Sequence, residues 1–294
     1  MDQWLVPHAA LAVFALMMAI VSFWVKRSPW IWGSFLLLSF ALGYFAKLIT
    51  PIALVPIGAL LILHALLTSD IRGLLRFILF AVTVVLSLGL IINYFPGFHE
   101  WTILEKTQIS PDALPFSLRF GFAKPFIGFF VLAWSIPLVK NIKEFERVIK
   151  VALPLTVGGI AIMILLSLFS GLIHWDPKFP TIFWFFAINN LILVSVIEEA
   201  FWRGFFQREL FRWFGGRSLL AGSGAVVLTS LAFAALHWWW APSIPFLGLV
   251  FVASLIYGSI YQITKAIEAS IFCHWLFNLT HFLFFTYPVL QNAT

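Results

Sequence analysis

The sequence predicts an all-α, polytopic transmembrane helical bundle of about ten spans, with its chemistry in the C-terminal half. Three observations carry that prediction. The 294 residues are 62% hydrophobic and 10% charged, whereas soluble domains carry about 25% charged residues. The apolar residues fall into segments close to the roughly 20 residues a bilayer requires. Basic residues cluster on alternate connections, as they do when cytoplasmic loops retain Lys and Arg.

Taken in order, the expected spans are Trp4–Val25, Trp30–Leu48, Pro51–Thr68, Leu74–Tyr94, Phe122–Val139, Val151–His174, Thr181–Arg203, Leu219–Trp238, Ile244–Gln262 and Ala266–Tyr287. Gly and Pro within them are tolerated, because neighbouring helices re-satisfy the backbone. Met1 to Val25 lacks a basic n-region and a small-residue cleavage site, so it reads as a retained first span. One set of connections holds Lys26 and Arg27; Arg72 and Arg76; Lys140, Lys143, Arg147 and Lys150; Arg203, Arg208, Arg212 and Arg217; and Lys265. The other set holds only Lys47, Lys106, Arg119, Lys124 and Lys178. The first set is expected in the cytoplasm, which puts both termini outside.

The net charge of +6 and the pI near 9.6 follow from these loops and give no reason to expect a nucleic-acid partner. Cys273 is the single cysteine, so no internal disulfide can form; in its apolar run it reads as a core residue. The longest connection, Pro96 to Gly121, mixes charges with Trp101, Leu104 and Phe116 and reads as a surface cap or interfacial amphipathic segment. Trp238, Trp239 and Trp240 close a span, where aromatic belts sit. The chain divides into residues 1–150, helices of unassigned role, and residues 151–294, where intramembrane polarity concentrates.

That polarity centres on Val196 to Gly204. Glu198 and Glu199 end an apolar run, and Arg203 follows. An ionisable group within a span costs roughly 2.5–3.5 kcal/mol on insertion scales, and adjacent carboxylates resist joint ionisation. Glu199 and Arg203 are at i, i+4 and share a helix face. Glu198 is turned about 100° away and can face a cavity. A helix-end ion pair accounts for Glu199 with Arg203 and leaves Glu198 unexplained. The next polar positions are His237, after Phe233, and then His274 and Asn278, at i, i+4 on the last span with His281 one turn on. His274 and Asn278 suit either interhelical hydrogen bonding or a common ligand.

Together these groups could hydrolyse an amide. A carboxylate takes a proton from water, a histidine orients the water or protonates the leaving amine, and an imidazole and an amide donate to an oxyanion. Glu198, His237 and His274 could also supply an N/N/O zinc set. No HExxH or GxGD motif is present.

Glu198 to Arg203 matches EExxxR, Phe233 to His237 matches FxxxH, and His274 to Asn278 matches HxxxN. In that order the chain resembles the CAAX-processing and bacteriocin-processing (CPBP) family, which includes the type II CAAX prenyl endopeptidases, intramembrane glutamic proteases. The resemblance covers roughly Thr181 to Tyr287. It implies Glu198 as general base assisted by His237, His274 and Asn278 as oxyanion hole, Glu199 and Arg203 as braces, and no cofactor. Lys265 and Glu268 depart from the small or apolar residues expected there.

The implied substrate is a membrane-embedded peptide or protein: a prenylated tail, a peptide precursor or a membrane anchor. The expected setting is the lipid bilayer, the plasma (inner) membrane in a bacterium. Competing readings are a proton-coupled transporter and a catalytically idle scaffold or immunity protein. One conflict stands in this reading. The span boundaries put Glu198 and His274 near the cytoplasmic side but His237 near the opposite end; either the boundaries around Arg203–Trp238 are wrong, or that span is broken or tilted at Gly222 and Gly224.

Overall fold

The computed structural model describes residues 6–239 and 243–291. It is mostly helical. In order the helices are α1 (Val6–Val25), α2 (Pro29–Phe45), α3 (Leu54–Thr68), α4 (Gly73–Ile91), α5 (Phe126–Ser135), α6 (Ile142–Phe169), α7 (Phe183–Trp213), α8 (Leu219–Leu236), α9 (Ile244–Thr264) and α10 (Ile267–Phe284). Each expected span falls on one of them. Among the described residues, seven helices are long and apolar enough to cross a membrane: α1, α3 with its leading turn, α4, α6, α7, α8 and α9. The chain is an integral membrane protein. Helices α2 and α5 are shorter, and α10 is diluted by Glu268, His274, Asn278 and His281. Trp4 and Trp240 lie outside the described residues; Trp238 is 41% exposed.

Three expectations need correction. The Pro96–Gly121 connection, expected to carry no strand in an all-α fold, does carry strands. It forms a two-stranded sheet of β1 (Glu100–Thr107) and β2 (Phe116–Gly121), so the fold is not purely α. The Phe122–Val139 segment is not a full span. Its helix, α5, would cover only about 15 Å at 1.5 Å per residue. Phe126, Ile127, Phe129, Val131 and Leu132 are all fully buried, as expected of a helix apolar all round. Finally, α7 does not stop at Arg203. It runs on to Trp213, which makes Glu198 its central residue.

Helix ends follow local chemistry. The Asn141 side chain accepts from the Glu144 amide at 3.0 Å, and the Glu144 carboxylate accepts from the Lys140 amide at 3.0 Å, a reciprocal cap on α6. The first turns of α6 hold Lys143, Glu144, Glu146, Arg147 and Lys150. A 28-residue helix is about 42 Å long, so this charged end exceeds the hydrocarbon thickness of about 30 Å. Ser218 caps α8 through the Ala221 amide at 3.0 Å.

The chain forms two compact units. The first holds the N-terminal helices to Ile103, Arg119–Leu138 and Ile192–Phe201. In it, Ser39 on α2 donates to the Ala12 carbonyl on α1 at 2.8 Å, beside the buried small residues Ala9, Ala12 and Ala15 that let membrane helices approach. The second holds Leu104–Leu118, Val139–Leu191 and the chain from Trp202 on. Its core joins Ala152 and Met163 of α6 to Ala253, Tyr257 and Ile260 of α9 and to Ala269 and Cys273 of α10. Helix α7 threads both units.

Candidate active site

Helix α7 carries its polar residues on an irregular stretch. Val196–Glu199 is a single α turn between wider π-helical segments at Asn190–Ser195 and Ala200–Gln207. Such widening is rare and is found often at functional sites.

In the first unit, Glu198 is 8% and Glu199 0% exposed. The Lys124 ammonium lies 2.5 Å from Glu198 Oε1. Gly128 of α5 packs on the backbone of Ile197, next to the pair.

In the second unit, Arg203 is fully buried. Its Nη2 donates to the Ser254 carbonyl at 3.1 Å and to the Ser254 hydroxyl at 2.9 Å. One turn on, Gln207 donates to the Gly258 carbonyl at 3.1 Å. Two residues at i, i+4 on α7 thus meet two at i, i+4 on α9. Gly258 is needed there, since a Cβ would come within 2.9 Å of Gln207 Oε1. The Arg203 guanidinium also lies over two rings, 5.2 Å from the Phe233 centroid and 5.5 Å from that of Tyr257. This is cation–π range, where a desolvated contact contributes about 2 kcal/mol.

The histidines join the same aromatic group. His274 stacks on Tyr257 at 4.6 Å and 13° and meets Phe233 edge-on at 6.4 Å. His237 lies 4.5 Å from Phe233. Its Nδ1 is 2.8 Å from the Phe233 carbonyl, which can only accept, so Nδ1 carries the proton and Nε2 is the acceptor of the neutral ring. Arg203, His237 and His274, one residue from each of the three motifs, therefore gather around Phe233.

Within the second unit this arrangement removes the conflict between His237 and His274. Of the two alternatives, the break in α8 does not occur; the helix is continuous through Gly222 and Gly224. A Cβ at Gly222 would meet Gln262 of α9 at 2.5 Å, so the glycine serves close packing. The error lay in the ends of the other helices: His274 lies well inside α10, and Glu198 is at the centre of α7.

Asn278 makes the interhelical bond that its sequence position allowed, donating to Asn190 Oδ1 on α7 at 3.1 Å. Trp275 adds a second strap, to the Ala187 carbonyl at 3.0 Å. His281 sits 3.0 Å from the Thr286 carbonyl and serves the turn after α10. Glu268 accepts from the Val139 amide at 2.8 Å, pinning the approach to α6; that is a structural reason for a carboxylate at this position.

Residues 180–280 match the family Type II CAAX prenyl endopeptidase Rce1-like. The Rce1-like segment covers about a third of the chain and contains EExxxR, FxxxH and HxxxN. Neither the curated proteins nor the solved structures include a match to the chain. Lys124 lies outside the Rce1-like segment, and Asn190, Ser254 and Gln207 lie within it but outside the three motifs. Lys124, Ser254 and Gln207 were not singled out from the sequence. Asn190 had one visible signal, as an amide interrupting an apolar run.

Proposed function

We propose that the protein is an intramembrane endopeptidase that hydrolyses a peptide bond of a membrane-associated substrate with water activated by Glu198. The observation that supports it most is the gathering of Arg203, His237 and His274 around Phe233 in a segment matching an endopeptidase family.

In the proposed reaction, Glu198 takes a proton from water as the oxygen adds to the scissile carbonyl. The tetrahedral oxyanion accepts hydrogen bonds from His274 and Asn278. Nε2 of His237 accepts from the attacking water and helps orient it. The proton held by Glu198 passes to the leaving nitrogen, the C–N bond breaks, and a carboxylate and an amine are left. Glu199 and Arg203 brace the helix that carries the base. Hydrogen bonding of Asn278 to Asn190 fixes the amide's orientation, which suits an oxyanion donor that must be set before the charge develops. No cofactor has a step in this scheme.

The family description points to a prenylated C-terminal tail as the substrate class. In a bacterium the alternatives are a leader peptide or a C-terminal sorting helix at the inner membrane. The test is full-length protein in liposomes with two internally quenched peptides: one farnesylated with a CAAX-type end, the other an unlipidated hydrophobic helix. Mass spectrometry should show one peptide cut at a single internal bond. If both stay intact, the protease reading falls; proton flux without cleavage would establish the transporter instead.

A further inference from the structure

The chain N-terminal to the Rce1-like segment sends a lysine side chain to the paired glutamates. Lys124 stands in the turn between β2 and α5, held by buried Phe122 and Ala123 on one side and Pro125 on the other. Its Nζ is 2.5 Å from Glu198 Oε1, with the two side chains 34% and 11% exposed. The pairing is non-local, between partners 74 positions apart in the sequence.

The turn is fixed because α5 is fixed. At its C-terminal end, the Arg27 guanidinium donates to the carbonyls of Leu132 and Ile136, the latter at 2.7 Å, the favourable end for a cation. In its middle, Gly128 lies directly on α7: a Cβ there would be 2.6 Å from the Ile197 carbonyl oxygen and 3.0 Å from its Cα. On its other faces Phe129 meets Phe23 of α1 and Trp32 of α2, Phe126 meets Phe40 of α2, and Phe130 meets His64 of α3. A helix too short to span is thus clamped so that Lys124, in the turn leading into it, reaches the centre of α7.

The terminal torsion of a glutamate is broad and weakly specified. An ammonium fixed on one oxygen removes that freedom, and it offsets the repulsion of two neighbouring carboxylates. We infer that Lys124 is a positioning residue for proteolysis, holding the Glu198 carboxylate by Oε1 in the orientation that takes a proton from water. This rests on Glu198 being the base. It assigns the N-terminal half a role in the reaction.

The test uses full-length protein in liposomes and the cleaved quenched peptide, comparing wild type, Lys124→Met, Lys124→Cys and Glu198→Gln. Misplacement of a reacting group by about 1 Å costs on the order of 100-fold, so kcat of Lys124→Met should fall about 10- to 100-fold while KM holds. Treating Lys124→Cys with 2-bromoethylamine rebuilds an ammonium at nearly the same reach; Cys273, 1% exposed, is sheltered from the reagent. That treatment should restore most of kcat, a recovery that loss of packing would not show.

An unchanged kcat in Lys124→Met, with Glu198→Gln inactive, would overturn this inference alone. So would a loss that follows a lower melting temperature and resists aminoethylation. Normal cleavage by Glu198→Gln would overturn the base assignment and this inference with it.

Discussion

Removing Arg203 should unseat the joint between α7, α8 and α9. The guanidinium is fully buried, bonds Ser254 twice through Nη2 and lies over the Phe233 and Tyr257 rings. A hydrogen bond to a charged group contributes about 1.5–3 kcal/mol, and each ring contact about 0.5–2 kcal/mol. Because Arg203→Ala loses these together, and the two Ser254 bonds share one nitrogen, the expected cost is about 3–5 kcal/mol, the range for breaking a buried charged pair. At about 2–4 °C per kcal/mol, the melting temperature should drop by about 6–20 °C. Ser254→Ala removes only the hydroxyl acceptor and leaves the carbonyl on the same nitrogen, so it should cost no more than the low end of that range, about 1.5 kcal/mol. Arg203→Lys keeps the charge but loses the planar fork and the stacking, and should fall between. The assay is thermal unfolding in detergent followed by tryptophan fluorescence, with Trp202 close to the change at 5.6 Å from Phe233. If Glu199 depends on Arg203, Glu199→Gln combined with Arg203→Ala should be more stable than Arg203→Ala alone. A drop under about 2 °C for Arg203→Ala would refute the reasoning.

Three further outcomes follow from separate features. Gly128→Ala sets a Cβ against Ile197 backbone; overpacking of this kind costs about 1–3 kcal/mol, so both melting temperature and cleavage should fall, and full activity would show that α5 can shift freely. A strong chelator should leave cleavage intact under the glutamate scheme, whereas loss reversed by zinc would favour a metal at Glu198, His237 and His274. The third concerns Asp176, between α6 and α7. Burial pushes its carboxyl up, but hydrogen bonds from Ser110 and Lys178 and the Lys178 charge hold it below the ordinary 3.8. A lowered carboxylate stabilises the fold above its unfolded value and loses that contribution as pH falls through the folded value. The stability advantage of wild type over Asp176→Asn should therefore be constant near neutral pH and shrink below 3.8. An advantage that does not change with pH would contradict this origin.

Much of the candidate site was legible because its spacings are written locally. EExxxR, FxxxH and HxxxN are short helical spacings, and each brings its residues to the aromatic group around Phe233 or to α7. The ten apolar segments were also visible, and each lies on a helix. What misled was the use of charge as a boundary. Arg203, Arg208 and Arg212 look like the end of a span, yet Arg203 is held inside the protein, bonded to Ser254 and set over two rings, and α7 continues. Segment length misled at α5, where Pro125 and Pro137 bracket an apolar run that is buried against protein rather than spanning lipid. The sheet had a signal in the strict alternation Phe116-Ser117-Leu118-Arg119-Phe120, a period of two, which the surrounding membrane-like composition concealed. Lys124 had none: no local pattern ties a lysine to a glutamate 74 residues away.

The central claim, that Glu198 activates the water that cleaves the substrate, is tested most directly by kcat of Glu198→Gln measured alongside its melting temperature. The amide keeps the shape and removes the base. The account predicts a fall of about 100- to 10,000-fold in kcat, with a melting temperature that holds within about 4 °C, the shift expected from about 1 kcal/mol. Cleavage at close to the wild-type rate by a folded Glu198→Gln protein would contradict it.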